Sequence, residues 1–474
     1  MTRTACVIGS GPNGLAAAIV LAQAGFRVDV FEAAEVPGGA CRTMELTLPG
    51  FLHDAGAAVP ALGACSPFFT SLPLQDFGLE FVVPPAAVAH PLDDGTAVVL
   101  EKDLRALKDT LGADAGAWTN LVQPLVEHWT EVAPDLLQPQ PSIPKHPLLL
   151  ARFGLSAVMS ASAIVRRFQS KRTRALFAGM AAHSVLRLDA PLSGAFGVMM
   201  AVTAHVDGWP IVRGGTQRLT DALSRYLATL GGTVKTSTRV DALDSPNYDL
   251  FLCDITPRQL LSIAGPRLST EYKRQLARYR YGPAVFKVDY ALSAPVPWRA
   301  ADCARAATVH LGGSFEEIAA YENGVMQGKH PARPFILFVQ PTLFDASRAP
   351  AGKHIAWAYC HVPNGSTVDM LGSMEDQIER FAPGFRDVVL ARRVSTPKDL
   401  ECMNPNLVGG SISGGTMDIR QSLFRPTWRR YATSAPDIFI CSSSTPPGGG
   451  VHGMCGYHAA KTALRSSSIS NVGE

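Results

Sequence analysis

The first 32 residues contain the feature that most constrains the fold, a glycine-rich turn between a strand and a helix. Residues 4–8 (TACVI) form a short apolar run that predicts a buried strand, and Gly9 to Gly14 follow as G-x-G-x-x-G. Leu15 to Ala24 predict a helix, and Arg27 to Phe31 predict a second strand followed by Glu32. This order of strand, turn, helix, strand and acid identifies a dinucleotide-binding βαβ unit.

Each glycine of this turn has a physical role in such a unit. Gly9 permits the tight turn, Gly11 lets the backbone approach a pyrophosphate, and Gly14 lets the helix pack closely on the strand. The N-terminus of the helix offers unpaired N–H groups and a partial positive charge to phosphates. Glu32 is placed to accept hydrogen bonds from ribose hydroxyls, and an acid there disfavours the 2′-phosphate of NADP.

A second glycine pair, Gly38 and Gly39, follows the second strand, and Arg42 comes shortly after it. The glycines allow another close approach of the backbone to a ligand, and the Arg42 guanidinium can neutralise a phosphate. Simple NAD-binding units do not need these additions. The pattern therefore favours FAD as the dinucleotide.

The chain resembles, over essentially its whole length, the phytoene desaturase-like FAD-dependent oxidoreductases of the amine oxidase and glutathione reductase superfamily. Four segments carry the resemblance. They are Gly9 to Gly14 with Glu32, Pro37 to Thr43 with Asp54-x-Gly56, Gly208 to Thr216 (GWPIVRGGT), and Ser444 to Gly453 (STPPGGGVHG). Related proteins often carry histidine where Pro446 stands here, so no role of that histidine can be transferred.

The resemblance implies an α/β fold with a discontinuous Rossmann-type FAD-binding domain and a substrate domain of antiparallel sheet and helices. The FAD-binding domain is expected at residues 1–60, 206–264 and 431–474, and the substrate domain at 61–205 and 265–430. Val240 would contact the adenine side through its backbone, and the helix predicted from Val451 onward would point its N-terminus at the flavin ring. The cofactor-binding residues expected from motif and resemblance together are Gly9, Gly11, Pro12, Asn13, Gly14, Glu32, Ala33, Gly38, Gly39, Arg42, Gly56, Ala57, Val240, Gly449, Gly450 and Val451.

Composition narrows the class of protein further. The chain has 474 residues, of which 47% are hydrophobic and 18% are charged, which excludes disordered, collagen-like and coiled-coil chains. A net charge of +3 is too small to attract nucleic acid to the chain as a whole. The nine cysteines are scattered and show no metal-ligand spacing, so we expect no metal site and a reducing, cytoplasmic location. The longest uncharged apolar run, Leu192 to Val206, is shorter than the roughly 20 residues of a membrane-spanning helix.

The central part of the chain holds the expected substrate domain. Three alternating stretches, Val285 to Tyr290, Phe335 to Gln340 and Lys353 to His361, predict an antiparallel sheet. Leu148 to Val165 is apolar except for Arg152 and runs into a basic segment. It fits either a buried helix over a substrate cavity, which we favour, or a helix that touches a membrane surface through basic anchors.

The function implied by the resemblance is hydride transfer from an apolar, isoprenoid-like or lipid-like substrate to the flavin, that is, desaturation. Alternatives are a redox-neutral flavin isomerase or saturase, an amine oxidase, and a non-enzymatic prenyl- or lipid-binding protein, as the GDP-dissociation inhibitors with this fold are. His183, His205, His310, His361 and His452 are all possible acid–base groups. His452 is the best placed of them, but it is a weak candidate for catalysis because it rests on position alone. We expect an apolar small-molecule substrate, no nucleic-acid partner, and a monomer or homodimer.

Overall fold

The computed structural model describes residues 2–140 and 142–470. Met1 and residues 471–474, the outer ends of the predicted FAD-binding domain, lie outside that range. The strands are β1 (Thr4–Ile8), β2 (Arg27–Phe31), β3 (Thr43–Glu45), β4 (Leu52–Asp54), β5 (Phe81–Val82), β6 (Ala86–Pro91), β7 (Ala97–Leu100), β8 (Ile211–Val212), β9 (Thr233–Lys235), β10 (Leu250–Cys253), β11 (Ala284–Leu292), β12 (Ala306–Leu311), β13 (Ile336–Val339), β14 (His354–Val362), β15 (Val389–Ser395) and β16 (Ile438–Ile440).

The helices surround and connect two main sheets. They are α1 (Pro12–Gln23), α2 (Ala61–Ala64), α3 (Pro67–Thr70), α4 (Leu107–Leu111), α5 (Ala115–Glu127), α6 (Trp129–Leu136), α7 (Pro147–Ala157), α8 (Ala161–Ile164), α9 (Lys171–Ala182), α10 (Ser193–Val206), α11 (Gln217–Thr229), α12 (Pro257–Ala264), α13 (Thr270–Ala277), α14 (Phe315–Met326), α15 (Leu371–Phe381), α16 (Phe385–Val388), α17 (Pro397–Met403), α18 (Ile419–Leu423) and α19 (Met454–Ser470).

The first sheet is parallel and confirms the predicted α/β class. Its strand order is β16-β10-β1-β2-β9, so all three chain segments assigned to the FAD-binding domain contribute strands. β1 and β10 are almost wholly buried, as their continuous apolar sequences predict for strands covered on both faces. The exact domain boundaries stay predictions.

Two elements of the first domain differ from the expectation. The sequence from Val234 to Val240 predicts a strand, but β9 ends at Lys235, and the chain then runs without regular structure to β10. The last helix begins at Met454 and not at Val451, because Gly448, Gly450 and Gly453 have positive φ angles that a right-handed helix excludes. Val451 therefore lies in the loop before the helix.

The second sheet has the order β15-β11-β14-β13-β12-β6-β7. The three predicted central strands are present as β11, β13 and β14 and pair antiparallel. The sequence predicts an antiparallel sheet, but the observed sheet is mixed. β12 pairs parallel with β6, which comes from the earlier half of the chain. Lys287, Tyr359, Leu337 and His310 are successive cross-strand partners, so they form one row across one face of this sheet.

The apolar stretch from Leu148 to Val165 is two helices and not one. α7 ends near Val158, and Ser160 begins α8 by accepting a hydrogen bond from the Ala163 N–H at 3.2 Å. α8 packs into the core, whereas Leu148 on α7 is 86% exposed. A membrane-surface contact of α7 stays a prediction. Within the described ranges, no helix is both long and apolar enough to cross a bilayer.

A buried ion pair ties the N-terminal segment to the rest of the molecule. Asp54 Oδ2 accepts a hydrogen bond from Arg348 at 2.9 Å, and both side chains are fully buried. Asp54 Oδ1 accepts from Thr43 at 2.8 Å and from the Thr216 N–H at 2.9 Å, just before α11 begins. One carboxylate thus joins three segments that are far apart in the sequence.

We expect Asp54→Asn to lower the free energy of unfolding by about 3–5 kcal/mol, because it leaves the Arg348 cation buried without its counter-charge. Urea unfolding measures this change. The control is Asp103→Asn, which breaks the exposed Asp103–Arg105 pair and should leave the midpoint unchanged. Equal effects of the two substitutions would contradict the role assigned to Asp54.

Candidate functional site

A cavity of about 700 Å³ extends from the glycine turn after β1 to the face of the second sheet. Fourteen of the sixteen predicted cofactor-binding residues line it. The two exceptions are Gly14 and Gly38. The structure thus brings together residues from four distant segments of the chain, while their contact with a cofactor stays a prediction. The fourteen are Gly9, Gly11, Pro12, Asn13, Glu32, Ala33, Gly39, Arg42, Gly56, Ala57, Val240, Gly449, Gly450 and Val451.

The dinucleotide end of the cavity, defined by the Gly9–Gly14 turn and the Gly38–Gly39 pair, is built from closely packed backbone. Gly9 has a φ of +94°, and a Cβ placed on Gly14 would lie 2.0 Å from the Gly9 carbonyl oxygen. A Cβ on Gly39 would lie 3.1 Å from the Gly11 Cα. Side chains at these positions would separate the two turns, so the glycines keep both backbones at the cavity wall.

Glu32 closes this end and is anchored to the turn. Its Oε2 accepts from the Ser10 N–H at 2.9 Å and from the Ser10 hydroxyl at 2.7 Å, and its Oε1 accepts from the Ala34 N–H at 2.9 Å. A carboxylate offers about four lone-pair positions, so capacity remains for a ligand hydroxyl. The geometry is compatible with the predicted ribose contact.

Arg42 is a buried cation with backbone partners only. It is 9% exposed, its Nε donates to the Gly39 carbonyl at 3.0 Å, and its Nη2 donates to the Met403 carbonyl at 2.7 Å. No carboxylate of the described residues lies within ion-pair distance of it. Burial lowers the pKa of Arg42, because removal from water destabilises the charged guanidinium. A buried charge normally has a counter-ion, so this end of the cavity favours an anionic ligand.

Asp254 is a site residue that the sequence analysis missed. It follows β10, lines the cavity, and its Oδ2 accepts from the Gly14 N–H at 2.9 Å. Burial, reinforced by the negative charge of Glu32, raises the pKa of Asp254 to about 7. Its position in the sequence could have identified it. Glu32 and Asp254 both follow strands of a parallel sheet, and the carboxyl ends of those strands meet at one edge.

The distal end of the cavity, next to the second sheet, is mainly apolar. Val185, Phe196 and Met200 line it on one side, and Leu337 and Val339 line it on the sheet. The sheet also presents Lys287, which is 2% exposed, forms an ion pair with Asp289, and lies with its Nζ 5.5 Å from the centre of the Trp357 ring. Burial lowers the pKa of Lys287.

His452, the weak catalytic candidate, does not line the cavity. Its Nδ1 accepts the Met454 N–H at 3.1 Å, and its own carbonyl accepts the Ser66 hydroxyl at 2.6 Å. Burial lowers the pKa of His452 to about 4, so the ring stays neutral and keeps Nδ1 free to accept. The ring therefore satisfies a backbone N–H at the N-terminus of α19, and a catalytic role for His452 stays a prediction.

Comparisons with known proteins agree with this geometry. Residues 7–63 match the NAD(P)-binding Rossmann-like domain family. The chain is 26% identical to the mouse pyridine nucleotide-disulfide oxidoreductase domain-containing protein 2, over 97% of this chain and 93% of that protein. It is also 26% identical to a phytoene dehydrogenase of Streptomyces griseus, over 81% of this chain and 77% of that protein. An oxidoreductase structure from Methanosarcina mazei has the same fold, with a TM-score of 0.64 and 16% identity, and the similarity covers 98% of this chain and 100% of that one.

The raised pKa of Asp254 predicts a pH-dependent cost to stability. The folded state favours protonated Asp254, so the wild type loses stability relative to Asp254→Asn as pH rises from about 4 to about 7. We expect the stability advantage of Asp254→Asn to grow by on the order of 3 kcal/mol between about pH 5 and about pH 8. Urea unfolding at both pH values measures it. Asp76→Asn, at an exposed position, is the control and should show no such growth.

Proposed function

We propose that this chain is an FAD-dependent oxidoreductase of the phytoene desaturase-like type, which holds FAD along the cavity and dehydrogenates an apolar, isoprenoid-like substrate at the distal end. One observation carries the proposal. A single continuous cavity joins a dinucleotide-binding turn with a buried cation to an apolar end against the second sheet. A cofactor and an apolar substrate can therefore meet in one enclosed space.

The residues at the dinucleotide end fit FAD. Arg42 is a buried cation without a carboxylate partner, which suits a pyrophosphate. The loop with Gly449, Gly450 and Val451 lines the same cavity as the first turn. A Cβ on Gly449 would lie 2.9 Å from the Ser413 carbonyl oxygen, so this loop is packed tightly against its neighbour. An NAD-only site would not need a cavity wall from the end of the chain.

Different residues of the chain would bind the cofactor and position the substrate. Glu32 would accept from the ribose hydroxyls, while Arg42 and the N-terminus of α1 would hold the phosphates. FAD supplies a two-electron acceptor when it is bound. The apolar side chains of the distal end would exclude water and hold the substrate body against the second sheet.

Charge at the distal end favours an apolar substrate over an amine. Among the described residues that line the cavity, the carboxylates are Glu32 and Asp254, and both lie at the dinucleotide end. Asp289 lies next to the distal end but is already paired with Lys287. A substrate ammonium would therefore lack a counter-charge, and burying it would be costly. The Streptomyces griseus relative, named a phytoene dehydrogenase, is consistent with this choice.

We expect Arg42→Met to weaken FAD binding by about tenfold or more, because a charge-assisted hydrogen bond to phosphate is lost. The measurement is the dissociation constant of FAD, followed by flavin fluorescence on protein depleted of flavin. Arg105→Met, at an exposed arginine paired with Asp103, is the control and should bind FAD like the wild type. Identical affinities of all three proteins would contradict the placement of the phosphates at Arg42.

The reaction itself is tested by anaerobic mixing of the flavin-loaded protein with a panel of carotenoids, smaller isoprenoids, quinols and amines. Dehydrogenation predicts loss of the oxidised-flavin absorbance with an isoprenoid alkene. Conversion of an alkene without bleaching would instead identify a redox-neutral isomerase. Bleaching by amines alone would overturn the apolar-substrate assignment, and purified protein that stays colourless after FAD addition would overturn the flavoenzyme assignment.

A further inference from the structure

One hydrogen bond joins the rings of two histidines at the distal end. His183 lines the cavity, and its Nε2 lies 3.0 Å from the Nε2 of His310, which is fully buried. Loss of hydration lowers the pKa of His183 to about 3 and the pKa of His310 well below its ordinary value, so both rings are neutral at physiological pH. Two nitrogens at this distance need one hydrogen between them, and either ring can supply it.

The surroundings of His310 decide which ring supplies the hydrogen. Its Nδ1 is buried and has no hydrogen-bond partner in the described parts of the chain. Gly179 of α9 packs directly on it, since a Cβ there would lie 2.5 Å from that Nδ1. An unpartnered buried N–H is costlier than an unpartnered lone pair, so His310 carries its proton on Nε2 and donates to His183. Neutral His183 then carries its own proton on Nδ1.

We propose that the His183 Nδ1–H donates a hydrogen bond to an oxygen of the substrate, so that the substrate is an oxygenated apolar molecule and not a pure hydrocarbon. The inference rests on the proposed function and names the substrate class of the same site. The His183 ring makes no hydrogen bond to any described residue other than the one to His310. His310 acts as a positioning residue, because it fixes the tautomer that His183 presents.

A second donor lies in the same row of the sheet. Tyr359 lines the cavity, is 8% exposed, and its hydroxyl makes no hydrogen bond within the described part of the protein. Tyr359 and His310 are the two cross-strand neighbours of Leu337, so the phenol and the imidazole pair flank one apolar side chain, with strands about 4.8 Å apart. Burial raises the pKa of Tyr359, which keeps the hydroxyl protonated and able to donate.

The test uses three molecules with one carbon skeleton: limonene, the alcohol carveol and the ketone carvone. Calorimetric titration of the flavin-loaded protein, kept in the reduced state under anaerobic conditions so that it cannot accept a hydride, gives their dissociation constants without dehydrogenation. We expect carveol and carvone to bind about five-fold more tightly than limonene, the equivalent of one net hydrogen bond. Equal affinity for all three would overturn the inference. Tight binding of carveol alone would overturn the donor assignment, because a ketone can only accept.

Two substitutions connect the preference to His183. His183→Leu removes this donor and should lower the preference to what the Tyr359 hydroxyl alone supplies, whereas His183→Asn keeps an N–H near the position of Nδ1 and should retain the full preference. His310→Gln keeps a donor toward His183 and should also retain the preference. A preference that is as large in His183→Leu as in the wild type would contradict the proposal.

A spectroscopic measurement covers the case in which a variant does not fold. In wild-type protein labelled with 15N-histidine, the His183 side-chain shifts should show the proton on Nδ1, and a proton on Nε2 would overturn the tautomer assignment. Flavin absorbance of the same sample separates the two hypotheses. Protein that holds no flavin contradicts the proposed function, while flavin-loaded protein without the ligand preference contradicts only this inference.

Discussion

Close approach of backbone to backbone at the N-terminus of α1 is the constraint on which the rest of the structure depends. Gly14 packs on the carbonyl of Gly9, and a Cβ on Gly456 of α19 would lie only 1.8 Å from the Asn13 carbonyl oxygen. The helix start is therefore in contact with its own strand, with β10 through Asp254, and with the last helix of the chain. Because no side chain fits between these backbones, the three segments have little freedom in how they meet, and the cavity wall that they form is fixed with them.

The two ends of the cavity use charge in opposite ways. At the dinucleotide end, Arg42 is buried without a carboxylate partner, and two acids, Glu32 and Asp254, lie at the carboxyl ends of β2 and β10, the strands on either side of β1. These groups leave electrostatic interactions open for a charged ligand. At the distal end, Lys287 and Asp289 neutralise each other, and the imidazoles of His183 and His310 are neutral. An apolar ligand can occupy that end without the desolvation of an unpaired charge.

The sequence predicted the parts of the site that depend on local chain order. The strand–turn–helix unit, Glu32 and the second glycine pair all lie within about forty residues, and their roles follow from short-range geometry. It did not predict Asp254 or the His183–His310 pair, because their significance comes from contacts between distant segments. The break between α7 and α8 was not predicted. The apolar sequence indicates burial, but it does not show that Ser160 caps the start of a new helix. The position of His452 in the sequence likewise did not show that its ring accepts the Met454 N–H.

The interleaved order of the strands has a consequence for how the protein is made. In the first sheet, β1 leaves the ribosome before its neighbour β10, and β10 leaves it long before its own partner β16. The loop at Gly449 to Val451, which closes the cavity, and Gly456, which packs on α1, emerge after β16. The unit of β1, α1 and β2 therefore stays partly uncovered while all the segments up to β16 are made, and pairings this distant in sequence form slowly. The nascent chain cannot enclose a cofactor before Gly449 to Val451 have emerged, so synthesis that stops before this loop yields products without a closed cavity.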